Sequence, residues 1–434
     1  MAAAATAAVI AVLVLATAVV VGVRSLPGRG GSGAEAARVA VPAGRATATR
    51  AGAELRSTVG ALRSGAWEAA MSGGGPSFTD RTLRMVVHPS IGGAGLRIRL
   101  TDRYGRSDLR VGSVYVAEQE AGARPYPGTR HQVLFGGAAS TVVTAGTDKI
   151  SDVVPMAVEA GRDLLVSFYL PGTTGPSMYH RESYQTSYLS TDRRDHAADL
   201  GGGAFSETTT SWYYLSGLDV QSQTADGTVV AFGDSITDGY HSTLDANRRW
   251  PDELARRLAA QPGGPRLGVV DAGLAGNRLL TQAPQVYRGP AGTDRFAHDV
   301  LDQPGVRDAI VLEGVNDLSN DVNASGGPLT AADLENGYRT LIAEAHRAGV
   351  RVIGATILPY SKLSPAMEAV REEANAWIRT SGAFDAVADF DAAVRDPANP
   401  SAMLPADDSG DHLHPDDAGM RAMAAAIDLA TLTS

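Results

Sequence analysis

"VVAFGDSITDGY", residues 229–240, runs from four apolar residues straight into a glycine, an acid and a serine. A continuous apolar run of this length, ending in Gly-Asp-Ser, reads as a strand buried on both faces, which is the signature of a parallel sheet. The stretches that follow repeat the pattern. "TVVAF" (228–232), "LGVVDA" (267–272), "DAIVLEG" (308–314), "RVIGATIL" (351–358) and "DAVADF" (385–390) alternate with helical stretches. The helical ones are "WPDELARRLAA" (250–260), "TAADLENGYRTLIAEAHRAG" (330–349) and "PAMEAVREEANAWIRTS" (365–381). The order predicts an α/β domain over 227–434, a doubly wound parallel sheet with helices on each side. Such sheets bind ligands beyond the carboxyl ends of their strands, and Ser235 falls there.

The candidate site residues all follow strands. Ser235 follows the first at the expected start of a helix, and Asp234 is placed to brace that turn. "DAGLAGNR" (271–278) puts Gly276 in the loop after the second, and "EGVND" (313–317) puts Asn316 after the third. Near the C-terminus "SGDHLHPDDAG" (409–419) sets Asp411 three residues before His414, a spacing that brings a carboxylate to the imidazole. A serine hydroxyl becomes a nucleophile when a base takes its proton. His414 can act as that base, Asp411 can orient it, and the Ser235 N–H, the Gly276 N–H and the Asn316 amide can receive the oxyanion. The reaction class is acyl transfer through an acyl-enzyme, and it needs no metal or organic cofactor. His412 is the rival base, Asp317, Asp416 and Asp417 read as caps or solvated acids, and "DHLH" is also legible as a metal patch.

"GDSITDG", "AGLAGNR", "EGVND" and "DHLH" resemble the four sequence blocks of the SGNH (GDSL) hydrolases. The resemblance covers 227–434 and implies a flavodoxin-like, three-layer esterase domain, with Ser235, Gly276, Asn316 and His414 in the family's four positions and Asp411 as the third member of the triad. It extends to a branch of secreted carbohydrate acetylesterases and arylesterases in which a β-sandwich precedes the hydrolase. Glu313 and Asp271 depart from that pattern, where many relatives carry Gly and Asn. The implied substrate is a carboxylic ester, an acetylated glycan being one such ester. The alternatives are a lipase or phospholipase acting on longer acyl esters and, in a different class, a surface glycan-binding protein with a vestigial hydrolase domain.

Upstream, residues 63–226 show short alternating runs such as "TLRMVVH" (82–88), "LRIRLTD" (96–102) and "DLLVSFYL" (163–170), with "GGAG" (92–95), "RYG" (103–105) and "LPGTTGP" (170–176) as turn signals. Period-two alternation predicts an all-β sandwich of the jelly-roll kind. Within it His88, His131, His180 and His196 share no motif spacing and read as surface or turn residues. Trp212, Tyr213 and Tyr214 read as packing between domains, with sugar stacking as the alternative, and Trp67, Tyr104 and Tyr169 as core or a binding platform. Residues 24–62 have the Gly, Ala, Pro and Arg content of a flexible linker.

Residues 2–23 are apolar or small and long enough, at ~1.5 Å per residue, to cross the roughly 30 Å core of a bilayer. Arg24 and Arg29 follow the stretch, and Ala16-Thr17-Ala18 inside it is a poor cleavage site. The expectation is an export signal or a membrane anchor over 1–23 and an extracellular or cell-surface location. The 434 residues carry a net charge of -10, which disfavours nucleic acid and anionic surfaces and accommodates neutral or cationic partners more easily. With no cysteine, disulfides, thiolate catalysis and cysteine metal sites are excluded.

Overall fold

In the computed structural model, paired strands run antiparallel up to residue 222, and from residue 227 onward they form one parallel sheet with a short antiparallel pair at 395–403. The structure describes residues 62–433. The expected signal or anchor and nearly all of the expected linker lie outside these residues, although the linker's last position, Leu62, already opens the first strand. No helix among the described residues is long and apolar enough to cross a membrane.

The principal antiparallel strands are β1 (Leu62–Glu68), β2 (Ser72–Val87), β3 (Gly95–Thr101), β4 (Val114–Ala121), β5 (Asp148–Ile150), β6 (Leu164–His180), β7 (Ser187–Leu189), β8 (Glu207–Thr209) and β9 (Leu215–Ser222). One sheet has the order β1-β9-β3-β5, and a larger one contains β8-β7-β2-β6-β4. Alternation decides what lies between them. Leu83, Met85 and Val87 of β2 and Val166 and Phe168 of β6 join Leu96, Ile98 and Leu100 of β3 and Leu218 and Val220 of β9 in one buried apolar cluster. "LPGTTGP" is not a turn. It lies inside β6, whose pairing with β2 shifts register between Leu170 and Thr173 and again between Thr173 and Pro176. Bulges absorb the extra residues, so a stretch with turn composition stays within a strand.

The parallel sheet is built from β10 (Gly227–Gly233), β11 (Leu267–Gly273), β12 (Val306–Leu312), β13 (Arg351–Ala355) and β14 (Ala386–Ala388), in the order β11-β10-β12-β13-β14. Every residue of β10 is buried, as its unbroken apolar run required. The helices that matter for the site are α1 (Ser235–Asp238), α2 (Trp250–Ala260), α3 (Gly292–Phe296), α4 (Val315–Asn320), α5 (Ala331–Arg347), α6 (Pro365–Thr380), α7 (Phe390–Val394) and α8 (Asp417–Ala425). Thr330, Ser364 and Asp416 cap α5, α6 and α8 by accepting from backbone N–H groups of the first turn. Strand order reverses between β10 and β12, which opens the crevice beyond their carboxyl ends.

The two regions have separate apolar clusters, yet the described residues fall within one compact unit. The Gly65 N–H donates to Thr228 Oγ1 (2.9 Å), and that hydroxyl donates to Pro304 O (2.7 Å). Two histidines form further bridges. His180, at the end of β6, is 2% exposed and is therefore not the surface residue its spacing suggested. Its Nδ1 faces Ala70 O (2.9 Å), which can only accept, so its Nε2 shares a proton with Asp238 Oδ1 of α1 (2.8 Å). His298 lies between Asp299 Oδ1 (2.6 Å) and Asp148 Oδ2 of β5 (2.8 Å). Beside the His180 bridge is a cavity of ≈ 290 Å³ lined by Trp212, Asp238, Arg249 and Asp271 among others, and it includes neither Ser235 nor His414.

Burial disfavours the charged form of His298, but the two carboxylates outweigh it and raise its pKa to about 10. A raised histidine pKa stabilises the fold fully below the unfolded value of about 6.5, and the contribution is lost as pH rises toward the folded value. The urea midpoint should therefore fall from pH ~6.5 to ~10, and His298→Gln should lower it at pH ~6.5 and flatten the slope. A variant with the wild-type slope would refute the bridge.

Candidate active site

β10 ends at Gly233, where a Cβ would come within 2.2 Å of Thr237 Oγ1 and 2.5 Å of Leu312 O. Only glycine lets the chain turn that tightly into α1. Asp234 caps this one-turn helix, its Oδ1 accepting from Ile236 N (2.9 Å). Ser235 is 7% exposed.

His414 reaches Ser235 from the loop before α8. Asp411 Oδ1 accepts from the backbone N–H groups of Leu413 (2.9 Å) and His414 (2.8 Å), while its Oδ2 faces His414 Nδ1 at 2.5 Å. A carboxylate there keeps the proton on Nδ1, so Nε2 presents a lone pair to Ser235 Oγ at 2.8 Å. Burial alone would raise the Asp411 pKa, but the His414 and Leu413 N–H groups and the ring hold it at about 2. Burial lowers His414, and Asp411 only partly offsets it. His412, the rival base, points away, its Nδ1 on Asp408 Oδ2 at 2.7 Å with an exposed side chain.

Gly276 and Asn316 flank this relay. Gly276 has φ +74° in a turn whose hydrogen bond runs from Asn277 N to Leu274 O (2.9 Å), so the turn does not use the Gly276 N–H. Asn316, on α4, donates through Nδ2 to Asn277 O (2.9 Å) and to Asp234 Oδ2 (3.2 Å). Both amide protons are thus engaged. Asp317 is neither a cap nor solvated. It is buried, and its carboxylate accepts from Leu279 N (2.8 Å) and Leu280 N (3.0 Å), pinning the Gly276 loop to α4. Asp416 does cap α8, and Asp417 accepts from Thr243 N.

Sequence reasoning missed Arg295 of α3. Its Nε donates to Asn277 Oδ1, its Nη1 to Ala272 O and Asp299 Oδ2, and its Nη2 to Gly233 O and Glu313 Oε1, all at 2.7–3.2 Å. Nothing around "GTDRFAHD" marks an arginine as central. The signal available was Glu313, an acid where the pattern has glycine, which is buried and needs a cation. Burial raises the Glu313 carboxyl, as does the nearby charge of Asp234, with Arg295 opposing. Burial also lifts Asp234 to about 7 and Asp317 to about 6. The other departure, Asp271, accepts from Gly273 N (2.9 Å) and is lifted by burial to about 8.

Tyr240 packs its ring 4.7 Å from that of His414, and His241 Nε2 lies 3.4 Å from Asp411 Oδ2. His241, Asp411 and His414 offer ligand atoms within 4.8 Å of one another, so the metal-patch reading acquires a geometry, though with His241 in place of His412. Trp212, Tyr213 and Tyr214 are buried within the cluster of the β-rich region, with Trp212 edge-on to Trp67 at 4.8 Å, and none is free to stack on a sugar.

A serine, a histidine and an aspartate joined in series at the switch point of a parallel α/β sheet define a site suited to nucleophilic attack. Residues 231–422 match the model of the GDSL-like lipase/acylhydrolase family. No curated relative matches the chain. Among solved structures it is similar to a GDSL-like lipase from Bacteroides thetaiotaomicron (19% identity, 48% of this chain and 88% of that one, TM-score 0.34). It is also similar to an aryl esterase from M. smegmatis (16%, 46% and 94%, 0.35) and to Axe2, an acetylxylan esterase from Geobacillus stearothermophilus (20%, 46% and 92%, 0.35).

Replacing Arg295 by Met would leave Glu313 buried without a cation and Asp299 with His298 alone, and breaking a buried pair typically costs about 3–5 kcal/mol. Urea unfolding of Arg295→Met should show a loss of that size. A loss below ~1 kcal/mol would remove Arg295 from its organising role.

Proposed function

We propose that the chain is a serine-dependent carboxylic ester hydrolase working through an acyl-enzyme, with small acyl esters, acetylated carbohydrate among them, as substrates. The observation that carries this reading is the continuous relay from Ser235 Oγ through His414 to Asp411. Ser235 Oγ attacks the ester carbonyl as His414 Nε2 takes its proton, and Asp411 stabilises the imidazolium. The Ser235 and Gly276 N–H groups and the Asn316 amide receive the oxyanion, each such donor typically contributing about 3 kcal/mol to transition-state stabilisation. His414 returns the proton to the leaving alcohol and then activates water for deacylation.

The match to an acylhydrolase family supports the ester chemistry. The Arg288 side chain, packed close to Gly276, and the Tyr240 ring against His414 favour a short acyl group over a long one. The reading includes a three-layer hydrolase domain, an N-terminal jelly-roll-like sandwich over 63–226 as in the acetylesterase branch, and export by way of residues 1–23, supported by the apolar length of that stretch.

Ser235→Ala should lower kcat on 4-nitrophenyl acetate by about four orders of magnitude or more while leaving the urea midpoint in place. In the wild type, kcat/KM should fall from acetate through butyrate to octanoate; a rise would favour a lipase. Because burial lowers His414 and only its neutral form is a base, the acid limb of kcat/KM should have its midpoint below the ordinary value of about 6.5. A midpoint above that value, or one unmoved in His414→Gln, would assign the limb elsewhere.

A further inference from the structure

Against a chain charge of -10, the edge of this site beside Gly276 gathers arginines. The loop ending at Val286–Arg288 folds over Gly276, where a Cβ would lie 2.8 Å from both Cδ and Nε of Arg288. Asn277 Nδ2 holds the loop there by donating to Arg288 O (2.7 Å). Arg278 stands beside Asn277 on the facing segment, near enough that the charge of Arg288 adds to burial in lowering its pKa. The β-rich region contributes a third cation, Arg181, whose guanidinium lies 4.4 Å from the ring centre of Tyr287. Arg288 and Arg181 together hold the Tyr287 phenol below its ordinary range.

The protein supplies these cations with little compensation. Arg181 pairs with Glu182 (3.1 Å), but among the described residues neither Arg278 nor Arg288 has a carboxylate within ion-pair distance. The acid nearest in effect to Arg278 is Asp317, whose two oxygens are taken by Leu279 and Leu280. The Nε atoms of Arg278 and Arg288 and the Thr281 hydroxyl are buried without a hydrogen-bond partner. A buried, unpaired donor on a cation is costly, and two such cations on one rim repel each other. An anion seated between them would relieve both costs, and a carboxylate or phosphate oxygen matches a guanidinium edge.

We infer that this site selects an ester that carries an anionic group, a carboxylate or a phosphate, held by Arg278 and Arg288 next to Gly276. The inference rests on the ester-hydrolase reading for the chemistry, but anion recognition is measurable without turnover. Average composition points to neutral or cationic partners, and the local field opposes that expectation.

The test is calorimetric binding to the full chain carrying Ser235→Ala, which leaves the ester intact. The probes are 4-acetoxybenzoate, 4-acetoxyphenyl phosphate and the neutral methyl 4-acetoxybenzoate. At least one anion should bind about tenfold or more tighter than the neutral ester. That ratio should collapse toward one when Arg278→Gln or Arg288→Gln is added, stay largely intact with Arg288→Lys, and shrink in about 0.5 M NaCl. The better anion identifies the group. Equal binding of all three probes, no binding of either anion at millimolar concentration, or a ratio unmoved by both glutamine variants would overturn the inference. Wild-type turnover of 4-nitrophenyl acetate is read separately, so loss of the esterase reading and loss of anion selection give different results.

Discussion

Arg295 has five N–H donors, and all five are used: two on the carbonyls of Gly233 and Ala272 at the ends of β10 and β11, one on Glu313 just beyond β12, one on the Asn277 amide oxygen in the loop after β11, and one on Asp299 a turn along its own helical segment. Its guanidinium also lies 3.9 Å from the ring centre of Phe232, the last large residue before the Gly-Asp-Ser turn. Planarity fixes the directions of the five bonds, so the three strand ends cannot shift independently. Ser235, Gly276 and Asn316 hang from those ends. The distances among them are therefore set from beneath, by a buried cation that has no contact with the nucleophile.

The same centre governs the electrostatics. Asp234, Glu313 and Asp317 sit close together in a dry environment, and burial raises the pKa of each. Three full charges there would repel strongly, and one guanidinium offsets only part of the cost. Asp411, on the opposite side of the serine, is held at about 2 by N–H donors and remains ionised. Carboxylates of one chemical kind thus separate into a buried group whose protons are held more tightly and one that stays charged beside an imidazole.

The β-rich region is joined to this machinery rather than appended to it. His180 reaches Asp238, the last residue of the helix that Ser235 opens, and His298 links Asp148 to Asp299, which Arg295 also holds. Arg181 and Tyr287 meet at the rim. None of these links was legible in the histidine spacing or in any motif, because each joins residues far apart in the chain whose partners are known only once both sheets have formed.

Local chemistry was legible where it is carried by short-range order. The buried run 229–232 required a two-faced parallel strand, the helical stretches ended near their capping residues, and DxxH placed a carboxylate at an imidazole three residues away. These readings depend on periodicity and on hydrogen bonds within a few residues, which sequence specifies directly. The bulged course of β6 through "LPGTTGP", the burial of Asp317 and His180, and the assembly around Arg295 were decided by tertiary structure. A strand can keep its pairing through turn-like residues only if a partner strand lies alongside, and a charged residue can be buried only where distant groups converge to neutralise it.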